Sequence, residues 1–211
     1  MKILLVALLC LSCTHVPQAP ASSFTAQALE TQASQPWIVF NSDVNSESAE
    51  TLIKQIQLAD QGDKPILIEI NTPGGSVFDG FEISRAIEAT KHPVVCVVDG
   101  MAASMGLYIL QSCHIRMMTH RSLLMGHEPS SGARGQQDDL KRMGMVLEKL
   151  NFVMAAHISF KTKLTPAQYM ELIAHGSELW LTPDEALALG FADFKATSVA
   201  EAARLVYEAS P

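Results

Sequence analysis

Gly100-Met101-Ala102-Ala103-Ser104-Met105-Gly106 is the stretch that decides how this chain is read. Immediately before it, Val94-Val95-Cys96-Val97-Val98 is an apolar, mostly β-branched run with the length of one buried strand. Immediately after it, Leu107-Tyr108-Ile109-Leu110 opens a helix. The spacing predicts a turn over 100–106 that lifts the Ser104 side chain out of the packing, beside the free amide dipoles of a helix N-terminus. Gly100 permits an unusual backbone angle there. Ala102, Ala103 and Gly106 keep the ground around the hydroxyl low enough for a substrate backbone to approach. Ser104 is therefore a candidate nucleophile.

The pattern continues in both directions from this turn. On the N-terminal side, Trp37-Ile38-Val39-Phe40 reads as a first strand, and Ala49, Leu52, Ile53, Ile56 and Ala59 lie at helical spacing over 46–60. A second strand over 65–70 leads into the turn Asn71-Thr72-Pro73-Gly74-Gly75-Ser76, and Ile83, Ala86 and Ile87 mark a helix over 78–91. On the C-terminal side, short strands are expected over 115–118 and 123–126, followed by a polar loop from Gly132 to Gly135. A long helix then runs from about Gln136 to Phe160, with Leu140, Met143, Leu147, Leu150, Met154 and Ile158 as its apolar stripe. Another helix covers 166–174. Thr182-Pro183-Asp184-Glu185 is a capping box that starts a helix ended by Gly190, which gives Asp184 and Glu185 a structural role. Strands alternating with helices at this rhythm imply right-handed crossovers, a mostly parallel sheet and an α/β fold.

With 211 residues, 48% of them hydrophobic and 18% charged, the chain suits one domain with a large core behind a leader. A net charge of -7 and the lack of a Lys/Arg cluster argue against nucleic acid as a partner. Cys10, Cys13, Cys96 and Cys113 have no zinc-site spacing beyond a CxxC inside the apolar leader, so neither a structural metal nor a cofactor is expected. Lys2 followed by Ile3-Leu4-Leu5-Val6-Ala7-Leu8-Leu9 has the layout of a secretory signal, too short to span a membrane. Residues 1–21 thus read as a signal peptide or lipoprotein leader. Leu11-Ser12-Cys13 resembles a bacterial lipoprotein cleavage box, although Cys10 stands where a Leu-like residue is usual. On that reading Cys13 carries a lipid, which is the chain's only membrane contact; otherwise a signal peptidase cuts near Ala21. Either way the protein is exported, to be periplasmic or lipid-anchored in a bacterium. Residues 22–35, rich in Ser, Thr, Ala, Gln and Pro, read as a flexible tether, and residues 36–211 as the domain.

Serine hydrolysis needs a nucleophile, a base, a group that orients the base, and amide donors for the oxyanion. Gly74-Gly75 follows a strand and carries no side chains, so its amides can face a ligand. His127, in Met125-Gly126-His127-Glu128-Pro129, ends an apolar strand and can present its imidazole at a cleft.

Taken together, these pieces resemble the proteolytic subunit of the Clp protease (ClpP). Ile70-Asn71-Thr72-Pro73-Gly74-Gly75-Ser76-Val77 is similar to that family's oxyanion turn, 100–106 to its nucleophile motif, and Gly126-His127-Glu128-Pro129 to its histidine motif. Gly135-Gln136 with Asp138 is similar to the start of its handle, and Glu185-Ala186 with Gly190 to its closing helix. The resemblance covers about Trp37 to Phe194 and implies a crotonase/ClpP-like βαβ spiral with a long protruding handle helix. It implies a serine endopeptidase acting on peptides or unfolded proteins through an acyl-enzyme. Ser104 would be the nucleophile, His127 the base, and the Gly75 and Met105 amides the oxyanion hole.

Where the family places its aspartate this chain has Glu178, with His175 and Ser177 as neighbouring alternatives. The family's stacked seven-membered rings imply a homo-oligomer. The segment before Trp37 does not resemble the family's N-terminal loop and first helix, which, with export, points to work without a Clp ATPase. Two other readings compete. One is a Ser-Lys signal-peptide-peptidase-like protease using Lys141 or Lys149, against which the setting of His127 argues. The other is a non-catalytic assembly or binding subunit on the same fold. Acyl-CoA hydratases and isomerases share the wider fold but not this serine–histidine pairing.

Overall fold

The structure, a computed structural model, describes residues 37–208. The leader, the tether and Cys13 lie outside the described residues.

Strand β1 (Trp37–Phe40), helix α1 (Ser46–Ala59), β2 (Ile66–Thr72), α2 (Val77–Glu88), β3 (Val94–Ala103) and α3 (Met105–Ser112) follow in strict alternation. They are succeeded by β4 (Ile115–Thr119), β5 (Leu123–Gly126), α4 (Gln137–Lys161), α5 (Pro166–Ile173), β6 (Leu179–Leu181), α6 (Pro183–Leu189), β7 (Phe194–Ala196) and α7 (Val199–Glu208). The main sheet has the order β1-β2-β3-β4-β7 with every pair parallel. Val94 to Val98 are all at most 1% exposed, as befits a central parallel strand covered on both faces. One face packs under α1, α2 and α3 through Leu52, Ile56, Ile83, Ile87, Leu107 and Leu110. The other buries Leu67, Val95, Val97 and Met117 under Val199, Ala202 and Ala203 of α7.

The fold is the mostly parallel α/β arrangement with a long helix that the sequence implies. Strand β3, however, runs on to Ala103, where a turn was expected from Gly100. It bends at Gly100 (φ 107°), and its register with β2 shifts between Ile70 and Thr72. Its first half pairs with β4, while Met101, Ala102 and Ala103 pair with Leu123, Leu124 and Met125 of β5. Strand β5 in turn pairs antiparallel with β6. Past the bend β3 still pairs with β2, Thr72 with Ala102, but exchanges β4 for β5 on its other side, so β5 and β6 branch from the sheet there.

Helix caps follow the sequence signals: Asn45 accepts from the amides of Glu47 and Ser48, and Thr182 and Glu185 form the expected reciprocal box. Of the stripe on α4, Met154 and Ile158 are buried, together with Ala155, while Met143, Leu147 and Leu150 are half-buried. Leu140, Met145, Val146, Phe152 and Val153 stand 45–59% exposed, so the helix also presents apolar side chains to solvent.

Four features lay outside the sequence reading: the three-residue strands β6 and β7, helix α7, and a Cys96–Cys113 disulfide. The disulfide ties Cys96, near the start of β3, to Cys113, the residue after α3, so both arms of the Ser104 turn are joined.

Candidate active site

Ser104 sits between the last residue of β3 and the first of α3 with φ 54° and ψ -117°. A non-glycine residue rarely adopts such a conformation; it costs about 1–3 kcal/mol and persists where its surroundings over-determine it. Here they do. The Ser104 amide donates to the Met125 carbonyl at 2.7 Å, and its own carbonyl accepts from Leu107 at 3.1 Å to start α3. β5 therefore pins one side of the turn and the helix the other.

The same strand delivers the candidate base. His127 stands two residues beyond Met125, and its Nε2 lies 2.8 Å from Ser104 Oγ. Both residues are half-buried, so the hydroxyl and imidazole meet where a ligand can reach them.

The turn after β2 lies directly against Ser104. A Cβ on Gly74 would come within 2.6 Å of the Ala103 carbonyl oxygen and 2.7 Å of Ser104 Cβ, and its φ of 94° already requires glycine. The turn is held by Val44, whose amide donates to the Gly74 carbonyl and whose carbonyl accepts from Ser76, each at 2.8 Å. Between those bonds the Gly75 amide has no hydrogen-bond partner among the described residues. Met105, as the first residue of α3, likewise has no intrahelical acceptor for its amide. Asn71 braces the approach: its Oδ1 accepts from the Met101 amide at 3.1 Å, and its Nδ2 donates to Asn41 at 3.1 Å.

The structure brings Ser104, His127, Gly75 and Met105 together. It does not join Glu178 to His127: the Glu178 carboxylate is exposed, and its Oε2 accepts the indole N–H of Trp180 at 2.9 Å. His175 and Ser177 are exposed and make no bond to His127 either. Lys141 pairs with Asp138 at 3.6 Å and Lys149 is exposed on α4; neither bonds Ser104. Asp184 is exposed at the start of α6 and pairs with Lys195, away from the histidine. Among the described residues no group of three or more His, Cys, Asp or Glu side chains is placed to share a metal ion. The reading of the sequence missed Val44, Asn71 and Trp180, whose roles depend on which loops meet.

The profile of the family described as Clp protease matches residues 22–197. The chain belongs to the Clp protease family. That match begins inside the segment read as a tether. The ATP-dependent Clp protease proteolytic subunit 1 of Prochlorococcus marinus strain NATL2A is 34% identical over 160 residues, 71% of this chain and 78% of that protein. The subunit of the same description from strain MIT 9312 is 31% identical over 162 residues, 74% of this chain and 81% of that one. A ClpP1 mutant from Listeria monocytogenes superposes with a TM-score of 0.72 at 22% identity, over 81% of this chain and 96% of that chain, and shares the fold. Kinship with Clp protease subunits supports a serine peptidase of the ClpP type.

Proposed function

We propose that this Clp protease family member cleaves peptide bonds in peptides and unfolded proteins through an acyl-enzyme on Ser104. The observation that carries the reading is the 2.8 Å approach of His127 Nε2 to an Oγ held on a strained strand-to-helix turn. His127 takes the Ser104 proton as Oγ attacks the scissile carbonyl. The developing oxyanion is received by the amides of Gly75 and Met105, which hold fixed dipoles where charge appears. His127 then gives its proton to the leaving amine, and water repeats the sequence in reverse. Glu178 orients the imidazole through Nδ1 and offsets its positive charge in the transition state.

Export is the second element of the proposal, with Cys13 as lipid anchor or the leader cut near Ala21. It is supported by the leader pattern and by the Cys96–Cys113 disulfide, since such bonds persist in oxidising compartments. A compartment without ATP favours action without a Clp ATPase. The exposed apolar side chains of α4 suit homo-oligomeric assembly, and stacked rings follow by analogy with the family.

The test is fluorophosphonate labelling and hydrolysis of an unfolded reporter without ATP, in the secreted form and in Ser104→Ala. The variant should fold normally and lose both signals, with turnover down by at least about 10³-fold. Unchanged turnover in Ser104→Ala would overturn the assignment. Absence of labelling in the wild type would favour a non-catalytic subunit.

A further inference from the structure

The third member of the proposed triad is longer than the family's aspartate, and it is already engaged by another side chain. Strands β5 and β6 pair antiparallel with Met125 opposite Trp180 and Gly126 opposite Leu179. Carried one step further, this register sets Glu178 opposite His127. Directly opposed residues on an antiparallel pair share a face, with Cβ atoms about 4.5–5.5 Å apart. Residues two apart on one strand also share a face, so Glu178 and Trp180 are neighbours on the His127 side. The indole Nε1 donates to Glu178 Oε2 at 2.9 Å. Among the described residues the other carboxylate oxygen, Oε1, has no hydrogen-bond partner, and neither does Nδ1 of His127, whose Nε2 is committed to Ser104.

A glutamate has one more rotatable bond than an aspartate, so an untethered carboxylate spends less of its time within reach of a given donor. A carboxylate can accept from two donors at once, one at each oxygen. We propose that Trp180 is a positioning residue: its indole N–H anchors Oε2 of Glu178 so that Oε1 accepts Nδ1–H of His127. The tether compensates for the added methylene at this position. The inference rests on the Ser104–His127–Glu178 reading above. Trp180 touches neither Ser104 nor His127 by hydrogen bond and acts only through the carboxylate.

The experiment is a double-mutant cycle of Trp180→Phe and Glu178→Gln, read as kcat and KM separately on a fluorogenic peptide. Trp180→Phe keeps an aromatic ring and removes the donor. At this 45% exposed position it should leave the thermal midpoint nearly unchanged. In the Glu178 chain it should lower kcat about tenfold, the size of one charge-assisted hydrogen bond, with KM unchanged. In the Glu178→Gln chain it should change kcat by less than about twofold, because the group it positions has lost its charge. An unaltered or raised kcat for Trp180→Phe, or the same loss in both backgrounds, overturns the inference.

A second readout does not need an active variant. With ¹⁵N-labelled tryptophan only two indole signals arise, from Trp37 and Trp180. The Trp180 N–H signal should move upfield in Glu178→Gln as its charged acceptor disappears; a fixed signal removes the tether. The underlying triad is judged separately. If Glu178→Gln alone leaves turnover intact, the triad fails, whereas a loss there with no effect of Trp180→Phe removes only the tether.

Discussion

Reducing the Cys96–Cys113 bond should destabilise the domain substantially while leaving the folded site intact. The bond closes a loop with a sequence separation of 17. In the chain-entropy treatment that loop removes about 10 cal/mol/K from the unfolded ensemble, or about 3 kcal/mol at 25 °C. For a domain of this size a loss of that order lowers the thermal midpoint by about 6–12 °C. Both cysteines are fully buried, so reductant must be added to the unfolded chain and the protein refolded in its presence. Thiol titration should then find two more free thiols than in the oxidised sample. Because the constraint acts chiefly on the unfolded chain, kcat measured well below both midpoints should be nearly the same with and without the bond. Equal midpoints for the two samples would refute the loop-entropy argument. An equal midpoint shift accompanied by a collapse of kcat at low temperature would instead mean that the crosslink holds Ser104 in place directly.

Gly74→Ala should push the oxyanion turn and the nucleophile apart, given the 2.6 Å approach of its new Cβ to the Ala103 carbonyl; turnover should fall about 10²–10³-fold, and a normal rate of fluorophosphonate labelling would contradict this. Burial lowers the proton affinity of His114, reinforced by Lys161; burial also lowers that of His157, against the opposing pull of Glu88 and the Tyr108 carbonyl. Below their ordinary value of 6.5 the unfolded chain therefore binds more protons than the folded one, and stability should decline as pH falls through that range. Urea midpoints at pH 7 and 5.5 measure this, and an equal or higher midpoint at pH 5.5 counts against it. Phe152→Glu and Val153→Glu alter side chains already 59% and 49% exposed, so they should reduce the native mass by light scattering while helix content holds. An unchanged mass would take assembly away from α4.

The legible parts of the fold were those whose evidence is local. The run Val94–Val98 announces a covered strand because every residue is apolar, and Thr182 with Glu185 announces a helix start because the cap is complete within four residues. The candidate nucleophile Ser104 and candidate base His127 were legible as short motifs, since each lies on one backbone turn. The disulfide was not. From Cys96 to Ala103 an extended strand covers about 23 Å at 3.3 Å per residue, while the eight-residue α3 returns only about 12 Å. The two Cα atoms nevertheless stand 5.9 Å apart, because β3 bends away at Gly100. That bend was hidden, since the same glycine reads equally well as the beginning of a turn. Strands β6 and β7 are too short to display a period of two. Helix α7 does carry a local signal: Val199, Ala202, Ala203 and Val206 lie at helical spacing.

The four pieces that build the site differ in what fixes them. The Gly74-Gly75 turn hangs on two backbone bonds to Val44, and the Ser104 turn on a backbone bond to Met125. His127 follows directly from β5, whose register with β3 and β6 is set by paired strands. In each of these the main chain specifies the geometry, and most substitutions of neighbouring side chains leave it standing. The carboxylate is the exception. Strand pairing sets only the backbone of Glu178 opposite the histidine; the torsions that would bring its oxygen to Nδ1 in the proposed triad are decided by side-chain contacts alone. An aspartate at this position has one torsion fewer to order, so a chain that carries glutamate needs an additional hold on it. The indole of Trp180 is the one hydrogen-bond donor that the described residues supply to that carboxylate. Variation at 180 should therefore alter the rate of chemistry more than the stability of the fold.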